Sequence, residues 1–361
     1  MGSGENYRVR HAIVAATMNH EPHSELTRSG RPSPTRRRLM HATTWLIAGV
    51  CFYLVFGKIQ GAAAREQMTA LDYLVRFIGD ANWLAWLGIM IPYSCFFFLV
   101  DAHVTWRVVR WFNAPDFRFK RMLPIRASAY ILSLLNEQVG KGAITLYLWR
   151  RHAVPAWQAL STMVLLGMME VYQLLLFSAV GTLLYFDLVV AASTTLPLSM
   201  ILVAAFAIAA LYFPLHLAYF SAKILPRHKL RDRQIFRAFR LAKLHHYGLV
   251  ILFKAPNLLA AVLVYTLSLD LFNVDVAFGQ MLAFLPVIFL AAALPLPFHA
   301  GALLLWTVLF PEYPEVGAFS LVMHTFFVLF NAAIGLLFLP LANRDLFGDP
   351  DDDLSARQSP Q

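Results

Sequence analysis

Two long apolar stretches, residues 123–149 and 279–310, are interrupted near their middles by polar, glycine and proline residues. The first break contains Asn136, Glu137, Gln138, Gly140, Lys141 and Gly142, and the second contains Pro295, Pro297, His299 and Gly301. In hydrocarbon an unpaired backbone amide costs several kcal/mol, so irregular backbone survives there only where protein buries it or water reaches it. Because broken helices of this kind form binding sites in transporters, both breaks are candidate sites for a polar substrate group.

The charged residues of the first break support two interpretations. Glu137 and Lys141 are four residues apart, so on one helical turn they could neutralise each other and serve only the architecture. Alternatively, Gly140 and Gly142 open the backbone, and the exposed amides together with the Lys141 ammonium bind an anionic head group at a helix start. The sequence leaves both interpretations open.

Further ionisable residues lie within or beside other apolar runs. Glu170, with Gln173 one turn later, is near the middle of a run, so it should face the bundle interior, where it either carries a proton or joins two helices. Lys254 lies near the start of a later run and either extends back to the cytoplasmic face or contacts substrate. Arg150 and Arg151 follow the first interrupted stretch, where they either attract phosphate or anchor the chain at the interface.

Histidine and amide side chains complete the candidate substrate-binding set. His299 occupies the second break, while His324 and Asn331 are seven residues apart and share one face of the last apolar run. Histidine changes charge near neutral pH, so these histidines, like Glu137 and Glu170, are candidates for carrying protons.

Composition sets the class of protein. Apolar residues make up 59% of the chain and charged residues 14%, far from the roughly 25% charge of a soluble domain. The apolar runs reach the ~20 residues that span a bilayer, so the chain is predicted to be a polytopic membrane protein. Cys51 and Cys95 are the only cysteines and lie within apolar runs, and phosphate-loop and paired-histidine motifs are absent. No cofactor or metal site is therefore predicted.

Lysine and arginine are concentrated in a few segments that should face the cytoplasm. These segments are residues 1–39, 102–122, 150–151 and 222–247. The connections predicted to face outward carry acidic residues instead, namely Asp187, Asp270, Asp275, Glu312 and Glu315. Residues 223–246 combine basic and aromatic residues and are predicted to form a helix on anionic inner-leaflet lipids. Since topology explains the basic segments, nucleic acid is not an expected partner.

Charge placement also predicts the architecture. Each interrupted stretch connects two segments of the same predicted face, so both stretches should be re-entrant helical hairpins that enter from opposite sides. Full spans are then predicted at 41–57, 82–101, 157–186, 197–219, 248–268 and 318–341. The halves 40–186 and 197–342 would form an inverted-topology repeat, which a shift of 159 positions supports by aligning Gly142 with Gly301. Eight ordinary spans are the alternative.

Outside this membrane domain, residues 40–342, two tails are expected. Residues 1–39 are polar and Arg-rich and are predicted to be a disordered cytoplasmic tail, without the features of a signal peptide. Residues 343–361 are predicted to be an acidic cytoplasmic tail. Both termini of a multi-pass protein of the bacterial inner membrane would then be cytoplasmic.

The chain resembles the membrane region of lysylphosphatidylglycerol synthases and the stand-alone flippase-like proteins related to it. The resemblance covers about residues 40–342. Its motifs are Leu134-Leu135-Asn136 followed by Gly140 and Gly142, Leu146-Tyr147-Leu148-Trp149-Arg150, the segment Leu294 to Gly301, and Ala332-Ala333-Ile334-Gly335-Leu336. The chain departs from the family where Glu137-Gln138-Val139 and Phe298-His299-Ala300 replace a Pro-Gly and a Gly-Gly-x-Gly turn. This departure allows a head-group preference that differs from the family's.

The resemblance implies lipid translocation without lipid synthesis, because the soluble aminoacyl-transferring domain of the synthases has no counterpart in this chain. The expected function is a flippase for a phospholipid or polyprenyl-linked lipid whose anionic head group is plain, aminoacylated or glycosylated. No catalytic motif indicates an enzyme. The alternatives are an intramembrane transferase or an accessory subunit acting on a lipid-linked substrate. A second copy of the chain and a lipid-modifying enzyme are the expected protein partners.

Overall fold

A computed structural model describes residues 34–135, 137–192, 197–225, 228–294, 296, 299–313 and 315–347, without the side chains of 34–41, 44, 48, 133–139, 141, 192 and 347. These residues are mainly helical, and no strand occurs among them. The helices are α1 Pro34–Arg65, α2 Ala70–Gly79, α3 Trp83–Phe112, α4 Phe119–Leu135, α5 Glu137–His152, α6 Ala156–Leu184, α7 Phe186–Ala192, α8 Leu198–Phe220, α9 Arg237–Leu241, α10 Leu244–Asp270, α11 Phe278–Ala292, α12 Ala300–Leu309 and α13 Val316–Phe347.

Six of the described helices, α1, α3, α6, α8, α10 and α13, are long and apolar enough to cross a membrane. Their exposed surfaces are rich in Leu, Ile, Val and Phe, as expected where lipid replaces water. The predicted fold class, an all-α polytopic membrane protein, is therefore confirmed. The second predicted span, 82–101, is too short, because α3 continues to Phe112.

The chain divides into two units, Met1–Ile47 and Ala48–Gln361. In the first unit, the described residues from Pro34 onward are helical and belong to the start of α1. Residues 1–33 lie outside the described part, so the disordered cytoplasmic tail expected at residues 1–39 stays a prediction. In the second unit, α13 continues to Phe347, beyond the predicted start of the C-terminal tail at residue 343.

The connections of the second unit gather at two ends. The basic end comprises residues 112–118, 152–158 and 228–243, and the acidic end comprises residues 80–82, 185–191, 271–277, 310–313 and 315. At the basic end the Arg237 guanidinium donates to the carbonyl of Phe112 at 2.8 Å. The side-chain amide of Gln158 donates to that of Gln234 at 3.2 Å. These bonds hold the ends of α3 and α6 beside α9.

The acidic end is joined in the same way. The Asn82 amide donates to the Leu271 carbonyl at 3.2 Å, and the Tyr73 hydroxyl donates to Glu315 Oε2 at 2.8 Å. Burial and this carboxylate raise the pKa of Tyr73, which lies on the short helix α2. At this end, too, segments that are distant in sequence meet one another in space.

Two pairs of short helices return to the end at which they begin. The pair α4 and α5 starts and finishes at the basic end, and the pair α11 and α12 starts and finishes at the acidic end. The members of each pair contact one another. The second pair separates at the predicted break, since α11 ends at Ala292 and α12 begins at Ala300. Proline at 295 and 297 cannot supply helical amide donors, which explains the end of α11.

Each hairpin packs its first helix against a long helix of the other half. Helix α4 contacts α13 and helix α11 contacts α6, while α3 and α10 contact each other. Glycine permits both hairpin contacts. A Cβ atom at Gly181 of α6 would lie 2.7 Å from the Leu282 carbonyl oxygen, and one at Gly335 of α13 would lie 2.9 Å from the Ala127 carbonyl oxygen. The backbones therefore approach too closely for a larger residue.

The basic segment 223–246 does not form the predicted surface helix. Its described residues contain turns, a 3-10 turn at Gln234–Phe236 and the five-residue α9 before α10 begins. Arg240 donates to the carbonyls of Arg231 and Arg233, so its guanidinium closes these turns. The Phe239 ring is buried and lies 5.1 Å from the Phe220 ring. The aromatic side chains expected in lipid thus pack within the protein.

Candidate functional site

Four charged side chains from four helices meet inside the bundle. They are Asp101 on α3, Arg126 on α4, Glu170 on α6 and Lys254 on α10. Glu170 is at the middle of α6, fourteen residues after Ala156 and fourteen before Leu184, or about 21 Å of helix from each end. At that depth ionised groups are costly and need partners. The two carboxylates and two cations provide them and balance in charge.

Asp101 is the most buried member, with 4% of its side chain exposed. Its Oδ2 atom accepts from Arg126 Nε at 2.5 Å and from the Tyr130 hydroxyl at 2.6 Å. Arg126 and Tyr130 are one helical turn apart on α4, which places both on the face toward α3. The Arg126 guanidinium also lies over the Tyr130 ring, 5.0 Å from its centroid. The Asp101 carboxylate is thus held rigidly from α4.

Lys254 joins this pair to Glu170. Its ammonium donates to Glu170 Oε1 and lies 3.5 Å from Asp101 Oδ1. The interpretation that Lys254 extends back to the cytoplasmic face is wrong, because two carboxylates inside the bundle offset the cost of burying its charge. The prediction that Glu170 faces the bundle interior is confirmed, and its partner is identified. Glu170 is also the most accessible of the four, with 28% of its side chain exposed.

The network forms one wall of a cavity of about 360 Å³. The cavity is lined by Tyr93, Phe97, Asp101, Arg126, Tyr130, Glu170, Gln173, Leu174, Lys254, Asn257, Leu258, Phe289 and Asn331. These residues come from α3, α4, α6, α10, α11 and α13, so both halves of the chain contribute. Asn257 is 8% exposed, and its Oδ1 atom has no hydrogen-bond partner among the described residues. The lining thus combines fixed charges with polar groups able to bind a ligand.

The structure brings together only part of the predicted site. Four predicted residues, Glu170, Gln173, Lys254 and Asn331, line the cavity. The predicted His299 and His324 meet elsewhere, at the turn of the α11–α12 hairpin, with their ring centroids 4.6 Å apart. The backbone of His299 has a left-handed conformation, with a φ of 51°. The Nδ1 atom of its ring lies 3.0 Å from the Ala292 carbonyl oxygen.

Gly301, in the first turn of α12, would bring a Cβ atom 3.2 Å from the Ala291 carbonyl oxygen. This glycine therefore lets the two helices of the hairpin approach each other. Pro297 lies outside the described residues.

The first break differs from the prediction. Helix α5 begins at Glu137, so Gly140 and Gly142 have helical backbone and do not open the chain as expected. Helical geometry pairs the amides beyond the first turn within the segment, which is favoured in an apolar environment despite a cost of about 1 kcal/mol per glycine. Asn136 lies outside the described residues, as do the side chains of Glu137, Gln138 and Lys141. The neutralisation of Glu137 by Lys141 and the binding of an anionic head group by Lys141 both remain predictions.

Arg150 and Arg151 lie at the other end of α5, at the basic end of the bundle. The Arg151 guanidinium donates to the Arg344 carbonyl at 3.5 Å, near the end of α13. Neither arginine lines the cavity, and the arginine that does is Arg126 of α4. Their position at the end of the bundle agrees with the interpretation that they anchor the chain.

Asp101, Arg126, Tyr130 and Asn257 are site residues that the sequence analysis missed. A signal existed for Asp101, because an acid inside a long apolar helix is by itself a candidate functional residue. Ending the predicted span at residue 101 placed that carboxylate at the interface instead. Arg126 follows a run of basic residues that indicates a cytoplasmic segment, so the sequence does not distinguish it from residues at the interface.

Among the described residues, no three His, Cys, Asp or Glu side chains are arranged as metal ligands. In comparisons with known proteins, no family model, no curated protein and no solved structure matches the chain. The resemblance to the lysylphosphatidylglycerol synthase membrane region therefore stays a prediction from its motifs.

Proposed function

We propose that the protein is a flippase that moves a lipid with an anionic head group, plain or aminoacylated or glycosylated, between the leaflets of the bacterial inner membrane. The observation that carries this proposal is the charged cavity at mid-depth, built by Asp101, Arg126, Glu170 and Lys254 inside a bundle of membrane-length helices. A head group that crosses hydrocarbon unaided loses its hydration, at a cost of many kcal/mol for a charged group. A cavity with fixed charges halfway across lowers that cost.

The arrangement of the helices supports an inverted repeat in which two hairpins flank the cavity. Helix α4 supplies Arg126 and packs on α13, and helix α11 supplies Phe289 and packs on α6. Exchanging the two halves of the chain exchanges these contacts and leaves the α3 and α10 pair in place. Such pseudo-symmetry is the basis of alternating access in many transporters. In this proposal each hairpin closes one side of the cavity in turn.

The orientation is proposed from the charges of the two ends. The basic end should face the cytoplasm, because lysine and arginine near membrane helices stay on that side. Both termini would then be cytoplasmic. Head groups would enter from the anionic inner leaflet toward Arg126 and Lys254.

The proposal is tested by leaflet exchange in proteoliposomes. Fluorescent phospholipids with anionic, zwitterionic and glycosylated head groups are placed in both leaflets, and a membrane-impermeant reductant quenches the outer pool. Protein-free vesicles should lose about half of the fluorescence, whereas vesicles containing the protein should lose nearly all of it for the anionic lipid. Loss of only half for every lipid in the panel would refute the proposed function.

A further inference from the structure

The two carboxylates of the cavity differ in how many hydrogen bonds they accept from the described side chains. The Asp101 carboxylate is bonded by both Arg126 and Tyr130, and these groups are largely buried. Within the described part of the chain, Glu170 is hydrogen-bonded by Lys254, and it is the most exposed of the four charged side chains. The contact between Lys254 and Glu170 is therefore the one that an incoming ligand can replace without breaking the Asp101 pair.

The group that replaces Glu170 must supply Lys254 with a negative charge and a hydrogen-bond acceptor, as the carboxylate does. An ammonium can donate up to three hydrogen bonds and binds phosphate oxygens as a point charge. A phosphodiester, which carries one negative charge and two free oxygens, resembles a carboxylate in both respects. Arg126 lines the same cavity and adds positive potential while remaining bonded to Asp101. Lys254 is thus the residue that the geometry assigns to the phosphate.

Displacement leaves Glu170 beside a second negative charge. The titratable and charged groups of the described lining are Tyr93 and Asp101 on α3, Arg126 and Tyr130 on α4, Glu170 on α6 and Lys254 on α10. The described lining from α11 and α13 consists of Phe289 and Asn331, which carry no charge. Both cations would already be bonded, Arg126 to Asp101 and Lys254 to phosphate. Two adjacent anions in a poorly hydrated cavity repel each other strongly.

On the basis of the proposed function, we propose that an anionic phosphodiester binds Lys254 by displacing Glu170, which then takes up one proton from a buffer acid in solution. The carboxylate becomes a neutral carboxylic acid, while the ammonium and the phosphodiester keep their charges. Asp101 does not take the proton, because it retains its bonds to Arg126 and Tyr130. Such exchange couples head-group binding to a proton and would allow a pH gradient to drive transport.

A soluble phosphodiester tests this without any lipid movement. Glycerophosphoglycerol is titrated into the purified full-length protein in detergent micelles, and calorimetry is run in two buffers with different ionisation enthalpies. The ligand keeps one negative charge between pH 5 and pH 9 as a general property of phosphodiesters, so proton uptake belongs to the protein. We expect about one proton per ligand, with Kd rising about tenfold per pH unit over the range in which that proton is taken up.

Two variants locate the proton and the phosphate. Glu170→Gln should bind the diester at least as tightly as wild type, without proton uptake and without the pH dependence. The double variant Glu170→Gln with Lys254→Met keeps the Asp101 and Arg126 pair and removes both members of the other pair, so it should fold. It should bind about 10- to 100-fold more weakly than Glu170→Gln, as expected for the loss of a charge-assisted bond. Glu312→Gln at the acidic end is the matched control and should behave as wild type.

Proton uptake that persists in Glu170→Gln would overturn the inference, as would tight binding by the double variant. Absence of detectable binding by both wild type and Glu170→Gln up to about 10 mM ligand would also overturn it. The outcome is distinguishable from that of the proposed function. A protein that binds the diester with one proton but does not accelerate leaflet exchange would retain this site and lose the assignment as a flippase.

Discussion

Replacing Asp101 with leucine should strongly destabilise the protein, because it leaves the Arg126 charge without its partner. Arg126 has 13% of its side chain exposed, so the guanidinium cannot simply move into water. Removing one member of a buried pair typically costs about 3–5 kcal/mol. The Tyr130 hydroxyl, which borders the cavity, also loses its hydrogen-bond acceptor. Since Glu170 remains nearby as a counter-charge, we expect a loss near the lower limit, about 3 kcal/mol.

The double variant Asp101→Leu with Arg126→Met separates charge pairing from packing. It removes both charges together, and apolar replacements of buried pairs are often close to neutral. The remaining cost should be about 1 kcal/mol, mainly from the unpaired Tyr130 hydroxyl. The coupling energy between the two positions should therefore be at least about 2 kcal/mol in a double-mutant cycle.

The free energy of unfolding is measured in mixed micelles by titration with sodium dodecyl sulfate, followed by tryptophan fluorescence. Asp275→Leu serves as the control, because Asp275 is exposed at the acidic end and its loss should change stability by less than about 0.5 kcal/mol. Additive effects of the two cavity substitutions would refute the pairing. So would a stability of Asp101→Leu equal to that of the control.

Other predictions concern the hairpins and the topology. Gly181→Ala should cost about 1–3 kcal/mol, because its methyl group would overlap the Leu282 carbonyl oxygen. In contrast, Gly142→Ala should be neutral or stabilise by up to about 1 kcal/mol, because no described atom from outside its own helical turn lies within 4 Å of its Cβ position. Equal losses of stability for both variants in detergent titrations would contradict these packing assignments. In a background lacking the native cysteines, His152→Cys should react with impermeant thiol reagents from the cytoplasmic side and Tyr313→Cys from the outside, and labelling of both from one side would contradict opposed hairpins.

Hydropathy and charge placement were sufficient to predict the long helices and the positions of the hairpins. Apolar length and basic segments act locally along the chain, so a sequence contains them directly. The break before α12 could be predicted because Pro295, Pro297 and Gly301 disfavour a continuous helix. The end of α3 could not, because Arg107 and Arg110 suggested a loop. In the structure Arg107 stacks on Trp106, 5.0 Å from the ring centroid, and the helix continues past it.

The candidate site was only half predictable, because its partners are distant in sequence. The depth of Glu170 indicated a buried carboxylate that needs a counter-charge, but nothing local identified Lys254 as that partner. A lysine near a helix end can reach the interface as easily as the interior. The Lys254 side chain points to the interior because Asp101 and Glu170 approach it from two other helices. The bond between Lys254 and Asp101 is therefore a consequence of the packing of α3 against α10.

The most direct test of the proposed function is anionic-lipid exchange by the Glu170→Gln, Lys254→Met double variant in proteoliposomes, beside wild type and the Glu312→Gln control. Reconstitution efficiency and unfolding stability are matched first, so that only the cavity differs. If the charged cavity is the path of the head group, wild type and control should expose nearly all labelled lipid to the reductant, and the double variant should expose little beyond the half seen in protein-free vesicles. Exchange by the double variant at the wild-type rate would contradict the assignment of this cavity to lipid transport.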